Sequence, residues 1–300
     1  MKLLKLIYNP VSGNAVFPTQ LDSCIKQLQQ AGYLVNLYRS EAKESFSKAF
    51  FDFDKLDYDA IVVAGGDGTI NKVINQMHSY DLNIPLGLLP TGTANDLAAH
   101  LGISSDLKEA VNIIVNGKFK EVDLGSLITK EEKNLFANVC AGGLFADVAH
   151  ETDREAKNTL GKLAYYLKGI SEVTNFKTLP LKITTDKKIL KEKVALFLIL
   201  NGSGAGGFNQ LAKTAKIDDG LFDFIAIKEA PLNQLLFLLI KILQGNHIED
   251  ENIIYLKSSY LKLEIVDKNI ELEVDIDGEK GPKLPIEAII EPKKIKVFVE

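Results

Sequence analysis

The first half of the chain alternates short apolar runs with amphipathic segments of helical period. The apolar runs predict strands at residues 4–8, 33–38, 60–64 and 85–89. The segments that follow them predict helices at residues 18–31, 41–51, 70–77 and 95–101. Strands and helices that alternate in this way are typical of parallel sheets with crossover helices. The pattern therefore predicts a doubly wound α/β fold for this half.

The second half changes character after Gly125 and has the pattern of an antiparallel, β-rich domain. Strand-like runs separated by turn residues lie at residues 193–200, 221–227, 260–266 and 270–276. Two helices are predicted, at residues 157–173 and 232–243. Residues 294–299 alternate like one more strand, for which a return to the first domain is one possible path.

This change of pattern predicts two domains with a boundary near Gly125. The first is an α/β domain of residues 1–125, joined by about residues 291–300. The second is a β-rich, sandwich-like domain of residues 126–290.

The composition argues against several classes of protein. The 300 residues carry a net charge of −5, whereas nucleic-acid binding normally needs a basic surface. Cys24 and Cys140 are too far apart in sequence for a disulfide framework or a zinc cluster, and the first residues lack the apolar core of a signal peptide. We therefore expect a cytoplasmic protein that does not bind nucleic acid.

Two segments bear on contact with a membrane. Residues 232–243 are the most apolar, but Lys241 interrupts them and they fall short of the ~20 residues that a span needs. A buried core helix is the main interpretation, and a helix at a membrane surface is the alternative. Residues 151–193 contain ten Lys or Arg against six Asp or Glu, which indicates either a solvated surface or a basic face toward anionic lipids.

Three polar loops, at residues 9–14, 65–69 and 90–96, each follow a predicted strand and precede a helix. The carboxyl ends of parallel strands share one edge of a sheet, so these loops are expected to converge there. Their glycines allow backbone N–H groups to approach an anion, and the helices that follow present their positive ends. The edge is suited to a polyphosphate, although neither a P-loop nor the protein-kinase motifs occur.

Carboxylates accompany these loops and suggest the chemistry. Asp67 lies among glycines, where it would repel phosphates unless a cation such as Mg²⁺ lay between them; the alternative is a turn with Asp67 as a helix cap. The turn at residues 277–279 is either a plain Asp-Gly turn or the carrier of a general base, Glu279. The turn at residues 216–221 is either a surface hairpin or a site for a hard cation.

Residues 202–207 match GxGxxG, the fingerprint of a dinucleotide site. Such a site needs a following helix and a parallel strand, and residues 209–220 leave little room for them. We therefore interpret this segment as a close-packing loop that faces the cleft between the domains.

Six motifs follow one another along the chain. They are NPVSG at residues 9–13, GGDGTIN at 65–71, LPTGTAND at 89–96, VDLG at 122–125, DDGLFD at 218–223 and DGE at 277–279. In this order they resemble the diacylglycerol kinase catalytic superfamily, in particular its soluble bacterial lipid kinases, nearly end to end. GGDGT also occurs in NAD kinases, whereas LPTGTAND and the late DGE favour the lipid kinases.

The resemblance implies a two-domain enzyme that uses Mg²⁺ and transfers the γ-phosphate of ATP to a lipid hydroxyl, in the first instance diacylglycerol to give phosphatidic acid. It implies an ATP site made of Asn9, Pro10, Val11, Ser12, Gly13, Ser40, Gly66, Asp67, Gly68, Thr69, Ile70, Asn71, Lys72 and Thr93. The catalytic residues that it implies are the general base Glu279 with Asp277 beside it, and Asp67 and Asp123 in a network of aspartates, water and Mg²⁺.

The same resemblance implies a structural Mg²⁺ held by the Asp219 side chain and the carbonyls of Lys216 and Leu221. It also implies a lipid substrate that the protein meets transiently at a membrane surface, and it leaves a homodimer open. Three positions depart from the family pattern: Lys72 stands where Glu is common, Gln76 where Gly is usual, and His100 where Arg is frequent.

Two other functions stay open on the sequence, an NAD kinase and a nucleotide sensor without turnover. The acceptor also stays open among diacylglycerol, another glycerolipid, a sphingoid base and an undecaprenol-like alcohol.

Overall fold

Fifteen strands form one mixed sheet in the part of the chain that the structure describes. The computed structural model describes residues 2–41, 46–143, 178–208, 210–267 and 269–300. The strands are β1 (Lys2–Tyr8), β2 (Tyr33–Arg39), β3 (Ala60–Gly65), β4 (Leu86–Pro90), β5 (Phe119–Ile128), β6 (Lys133–Phe136), β7 (Val139–Gly143), β8 (Leu179–Thr185), β9 (Ile189–Leu200), β10 (Phe222–Lys228), β11 (Ile253–Ser258), β12 (Tyr260–Ile265), β13 (Glu273–Ile276), β14 (Glu279–Lys283) and β15 (Ile286–Phe298). The helices are α1 (Phe17–Gln30), α2 (Asp67–Ser79), α3 (Asp96–His100), α4 (Leu107–Asn116) and α5 (Leu232–Gln244), with a 3₁₀ helix at Phe46–Phe50.

The first half is a parallel α/β unit, as the sequence pattern predicts. Strands β2, β1, β3 and β4 lie side by side in that order, and each neighbouring pair is parallel. Every residue of β3 is buried, which is typical of a central parallel strand covered on both faces. The three polar loops follow β1, β3 and β4, so the topology brings them to one edge of the sheet.

Two elements of this half differ from the prediction. Helix α4 was not predicted, although the Asp106 carboxylate caps its first turn and Gly117 ends it in the left-handed conformation. The helix predicted at residues 41–51 is, in its described part, only the 3₁₀ helix. Phe50 packs against the rings of Phe53 and Tyr80, and these aromatic contacts favour a tight turn over a longer helix.

The second half is antiparallel, as predicted. Strands β7, β9, β8 and β12 pair in that order, and β10 joins β9 to β11. Its core contains stacked rings, with Phe136 against Phe222 and Phe197 against Phe224. The helix predicted at residues 157–173 and most of the basic segment at residues 151–193 lie outside the described residues.

Helix α5 is only partly a core helix. Its side chains Leu235 and Leu238 are buried, whereas Phe237 and Ile240 are 67% and 50% exposed. The prediction of a buried helix is therefore right for one face. In the described ranges no helix combines the length and the apolar character needed to cross a membrane.

Strand β15 joins the two halves. It pairs antiparallel with β12 and with β5, and Val297 near its end pairs parallel with Leu86 of β4. The predicted return of the last strand to the first domain is therefore confirmed. Strand β5 runs through Gly125 without a break, and the domain boundary at that residue stays a prediction.

A buried ion pair anchors β1, the strand that leads into the first polar loop. Lys5 is 1% exposed, and its Nζ lies 2.9 Å from Asp52 Oδ2. The Tyr58 hydroxyl and the Asn36 amide also donate to this carboxylate, at 2.7 and 3.1 Å. Burial alone would raise the pKa of Asp52, but the hydrogen bonds from Lys5 and Tyr58 outweigh it and hold the pKa below its usual value.

Removing one partner of this pair is expected to cost far more than removing both. Asp52→Ala leaves the Lys5 ammonium buried without its counter-charge, so we expect the free energy of unfolding to fall by about 3–5 kcal/mol. The double variant Lys5→Met/Asp52→Ala is expected to recover most of that loss. Urea denaturation measures both, with Lys283→Met as the control, since its exposed pair with Glu271 should contribute less than about 1 kcal/mol. Equal stability of single and double variants would contradict this account.

Candidate active site

The three polar loops meet backbone to backbone. The Thr91 N–H donates to the Gly65 carbonyl at 3.0 Å. A Cβ on Gly92 would lie 2.5 Å from the Gly66 Cα, and a Cβ on Gly13 would lie 2.2 Å from the Thr91 carbonyl oxygen. Only glycine fits at these two contacts, so the predicted convergence of the loops is confirmed and has a steric basis.

The residues expected to hold a nucleotide line this junction. Asn9 donates through Nδ2 to the Thr69 hydroxyl at 3.2 Å, which links the first loop to α2. The Ser40 hydroxyl lies at the end of β2 and donates to the Tyr8 carbonyl at 3.0 Å. Thr93 is exposed on the third loop. Their contacts with ATP stay predictions.

Asp67 begins α2 and has one oxygen without a partner. Its Oδ2 accepts the Asn95 N–H at 2.9 Å, whereas its buried Oδ1 has no hydrogen-bond partner among the described residues. Burial, and then the charges of Asp96 and Asp277, raise the pKa of Asp67 to about 7. The Asp67 carboxylate is therefore a place where a cation would be stabilised.

Asp96 is a carboxylate that sequence reasoning left out of the site, although it ends the LPTGTAND motif. It accepts the N–H groups of Gly206 and Gly207, at 2.7 and 3.0 Å. The glycine-rich segment 202–207 thus packs against the start of α3, in agreement with its interpretation as a close-packing loop.

Asp277 is a buried anchor. It is 4% exposed, and its backbone is left-handed with φ at 50°. Its carboxylate accepts four N–H groups, from the Asn71 side chain at 2.8 Å and from the backbone of Ala137, Asn138 and Val139 at 2.7, 3.1 and 2.8 Å. Burial nevertheless raises the pKa of Asp277 to about 6. With both oxygens engaged, this group is poorly placed to accept a proton from a substrate.

Glu279, two residues further on, is half-exposed and lies over the first turn of α2. A Cβ on Gly68 would come within 2.6 Å of Glu279 Oε1. The same oxygen accepts a hydrogen bond from Lys72 Nζ at 2.8 Å. A carboxylate at the carboxyl edge of the sheet, open to solvent, can receive a proton from a bound molecule.

A polar pocket of about 440 Å³ adjoins Glu279. Helix α2, strand β6 and the β13–β14 hairpin form its walls. Asn75 holds α2 against β6, since its side chain accepts from the Leu135 N–H at 3.0 Å and donates to the Leu135 carbonyl at 3.0 Å. The pocket therefore lies between elements of the two halves.

Asp123 is buried between the acidic turn and β15. It is 1% exposed, and its carboxylate accepts the N–H groups of Gly220 and Lys293 at 2.8 and 2.7 Å. These contacts tie it to the acidic turn and to β15. The charges of Asp96 and Asp277 contribute to the raised pKa of Asp67. A network of water and Mg²⁺ between Asp67 and Asp123 stays a prediction.

The ammonium group of Lys257 lies beside the acidic turn at residues 216–221. Asp219 Oδ1 accepts the Leu221 N–H at 3.2 Å, and Asp219 Oδ2 lies 3.8 Å from Lys257 Nζ. The same ammonium lies 3.4 Å from the buried Asp223 carboxylate. A Mg²⁺ bound by Asp219 and the carbonyls of Lys216 and Leu221 would have to compete with Lys257, so this site fits the ion only in part.

Comparisons with known proteins agree with the two-part fold. Residues 3–127 match the family model of the diacylglycerol kinase catalytic domain, and residues 138–299 match that of the YegS C-terminal NAD kinase beta sandwich-like domain. A diacylglycerol kinase of Bacillus subtilis (strain 168) is 33% identical over 290 residues, which cover 96% of this chain and 93% of the relative. A diacylglycerol kinase of Staphylococcus haemolyticus (strain JCSC1435) is 34% identical over 284 residues, which cover 95% of this chain and 84% of that relative.

Solved structures show the same likeness. The crystal structure of a diacylglycerol kinase from Bacillus anthracis str. Sterne has a TM-score of 0.79 and 26% identity, and the match covers 100% of this chain and 97% of that one. Another crystal structure of a protein from that strain has a TM-score of 0.83 and 28% identity, and the match covers 100% of this chain and 95% of that one.

Asp277→Asn is expected to destabilise the protein. An Asn amide group would face N–H donors where a carboxylate oxygen now accepts them, so we expect the free energy of unfolding to fall by about 2–4 kcal/mol. Urea denaturation measures the loss. Asp22→Asn, on an exposed position of α1, is the matched control and should leave stability unchanged. An Asp277→Asn variant as stable as wild type would show that the fold does not need this carboxylate.

Proposed function

Because this chain belongs to the diacylglycerol kinase family, we propose that it is an ATP-dependent lipid kinase and that diacylglycerol is its acceptor. The family is shown by relatives at 33% and 34% identity along nearly the whole chain. The observation that carries the proposal is the position of Glu279, a half-exposed carboxylate that lies over the glycine-rich turn at the start of α2.

The converging loops support the nucleotide part of the proposal. Gly66 and Gly68 place no side chain of their own at the start of α2, and the N-terminus of a helix attracts phosphate oxygens. Asn9, Ser12 and Thr69 lie around the same junction. Phosphoryl transfer needs little covalent chemistry from the protein, so a site of this kind acts by holding and orienting the triphosphate.

The residues present fit a Mg²⁺ ion at Asp67. Its buried Oδ1 has no partner among the described residues, and the neighbouring carboxylates make the spot electronegative. Within the described ranges no cluster of three or more acidic, His or Cys side chains could hold a metal ion alone. That agrees with Mg²⁺, which usually takes one or two carboxylates and completes its shell with waters and substrate phosphates. Such an ion would neutralise charge on the phosphates.

Glu279 is the general base in this proposal. It would accept the proton of the acceptor hydroxyl while the hydroxyl oxygen bonds to the γ-phosphorus and ADP leaves. Asp277 supports it from the same turn, because its four N–H contacts fix the backbone from which Glu279 projects. The polar pocket beside Glu279 offers room for the group that carries the hydroxyl.

A transfer assay with γ-labelled ATP tests the function. The purified chain is incubated with Mg²⁺ and mixed micelles that each contain one lipid: diacylglycerol, another glycerolipid, a sphingoid base or a long-chain polyprenol. We expect label in phosphatidic acid. Label on a different lipid would keep the kinase and reject the acceptor. A parallel reaction with NAD tests the NAD kinase alternative, and ATP binding without any product would favour a nucleotide sensor.

Glu279→Gln is expected to fold normally and to lose most turnover. Removal of a general base should lower kcat by at least roughly 100-fold, since such groups contribute about 10²–10⁴-fold. Thermal unfolding and ATP titration should match wild type. Glu273→Gln is the matched control, because Glu273 lies on β13 of the same hairpin and pairs at 3.6 Å with Lys280 on the surface. A fully active Glu279→Gln enzyme would reject Glu279 as the base.

A further inference from the structure

An ion pair across the site links Lys72 to Glu279. Lys72 is on α2, Glu279 begins β14, and 207 positions separate them in sequence. The Nζ to Oε1 distance is 2.8 Å, with the side chains 41% and 47% exposed. Lys72 Nζ also lies 6.0 Å from the centroid of the Phe46 ring, which limits where the ammonium can sit.

The ion pair between Lys72 and Glu279 contributes little to the stability of the fold. Exposed ion pairs contribute little to folding, because water screens them and two long side chains must be ordered. Its position gives it another role. It joins the carboxylate proposed as the base to the helix whose first turn is proposed to hold the phosphates.

The two oxygens of Glu279 are in different states. Oε1 is held by Lys72, whereas Oε2 has no hydrogen bond among the described residues. One oxygen therefore fixes the direction of the carboxylate, and the other is left to receive a proton. The ammonium also offsets the repulsion between this carboxylate and a triphosphate bound at the same helix terminus.

We propose that Lys72 is a positioning residue that holds Glu279 in the orientation for proton transfer. The inference rests on the proposed function. In the step itself the O–H bond of the acceptor breaks and its proton goes to Glu279. The acceptor oxygen forms a new bond to the γ-phosphorus. The bond from the γ-phosphorus to the oxygen that bridges it to the β-phosphate breaks, and its electrons leave with ADP. Lys72 touches none of the reacting atoms.

The rival explanation is that Lys72 binds the nucleotide directly. The two roles predict different kinetic signatures, because a nucleotide contact acts on ATP affinity and a contact to the base acts on turnover. The ratio between the effect on kcat and the effect on the Kd of ATP therefore decides between them.

Two variants form the test: Lys72→Met and Lys72→Arg. We expect Lys72→Met to lower kcat roughly 10- to 100-fold, as a misplaced catalytic group does, with the Kd of ATP within about threefold of wild type by calorimetry. Lys72→Arg should restore most of kcat. Lys283 is on β14, as Glu279 is, and Lys283→Met breaks only its exposed pair with Glu271, so this control should leave kcat unchanged.

A double variant tests whether Lys72 acts through Glu279. Lys72→Met/Glu279→Gln should have the same residual turnover as Glu279→Gln alone, since there is no longer a base to orient. A further loss in the double variant, or an effect of Lys72→Met on the Kd of ATP alone, would overturn the inference and leave the kinase assignment standing. A wild-type chain that binds ATP and phosphorylates no acceptor would overturn both.

Discussion

The structure depends on one buried carboxylate, that of Asp277. It gathers the backbone of residues 137–139 and the side chain of Asn71, which come from the two halves of the chain, onto two oxygen atoms. Such a charge is tolerated in the interior only because every lone-pair direction finds a donor. The left-handed turn that it stabilises directs Glu279 back over α2, so the geometry of the exposed carboxylate follows from that of the buried one.

The site contains carboxylates that are unfavourable in their charged form. Asp67 and Asp277 are buried carboxylates, and burial raises the pKa of both, while the charges of Asp96 and Asp277 add to the rise at Asp67. A fold selected for stability alone would neutralise such a group with a side chain. Retaining the charge leaves a place that a divalent cation and a polyanion can fill together, and stability and ligand binding are thus in opposition at this edge of the sheet.

Much of the fold could be predicted from the sequence because its signals are local. Strands such as β3 are continuous apolar runs, and topology alone then brings the three loops to one edge. The misses have physical causes as well. Helix α4 was overlooked although Asp106 and Gly117 mark its ends, and the 3₁₀ helix at Phe50 contacts the ring of Tyr80, thirty residues further along the chain, which local patterns do not reveal. The sequence could not reveal that Asp277 is buried and Glu279 is half-exposed, because the two carboxylates belong to one turn and only the tertiary structure buries the first.

Strand β15 determines how the two halves can move. It is one continuous strand of thirteen residues, paired with β12 and β5 and then with β4, so no flexible linker separates the halves at this point. Its pairing is irregular between Glu291 and Ile295, and the Lys293 backbone there is held by Asp123. A wide hinge rotation would have to break that register. An opening between the halves that keeps these strand pairings intact is therefore limited to bending of β15 at this irregularity.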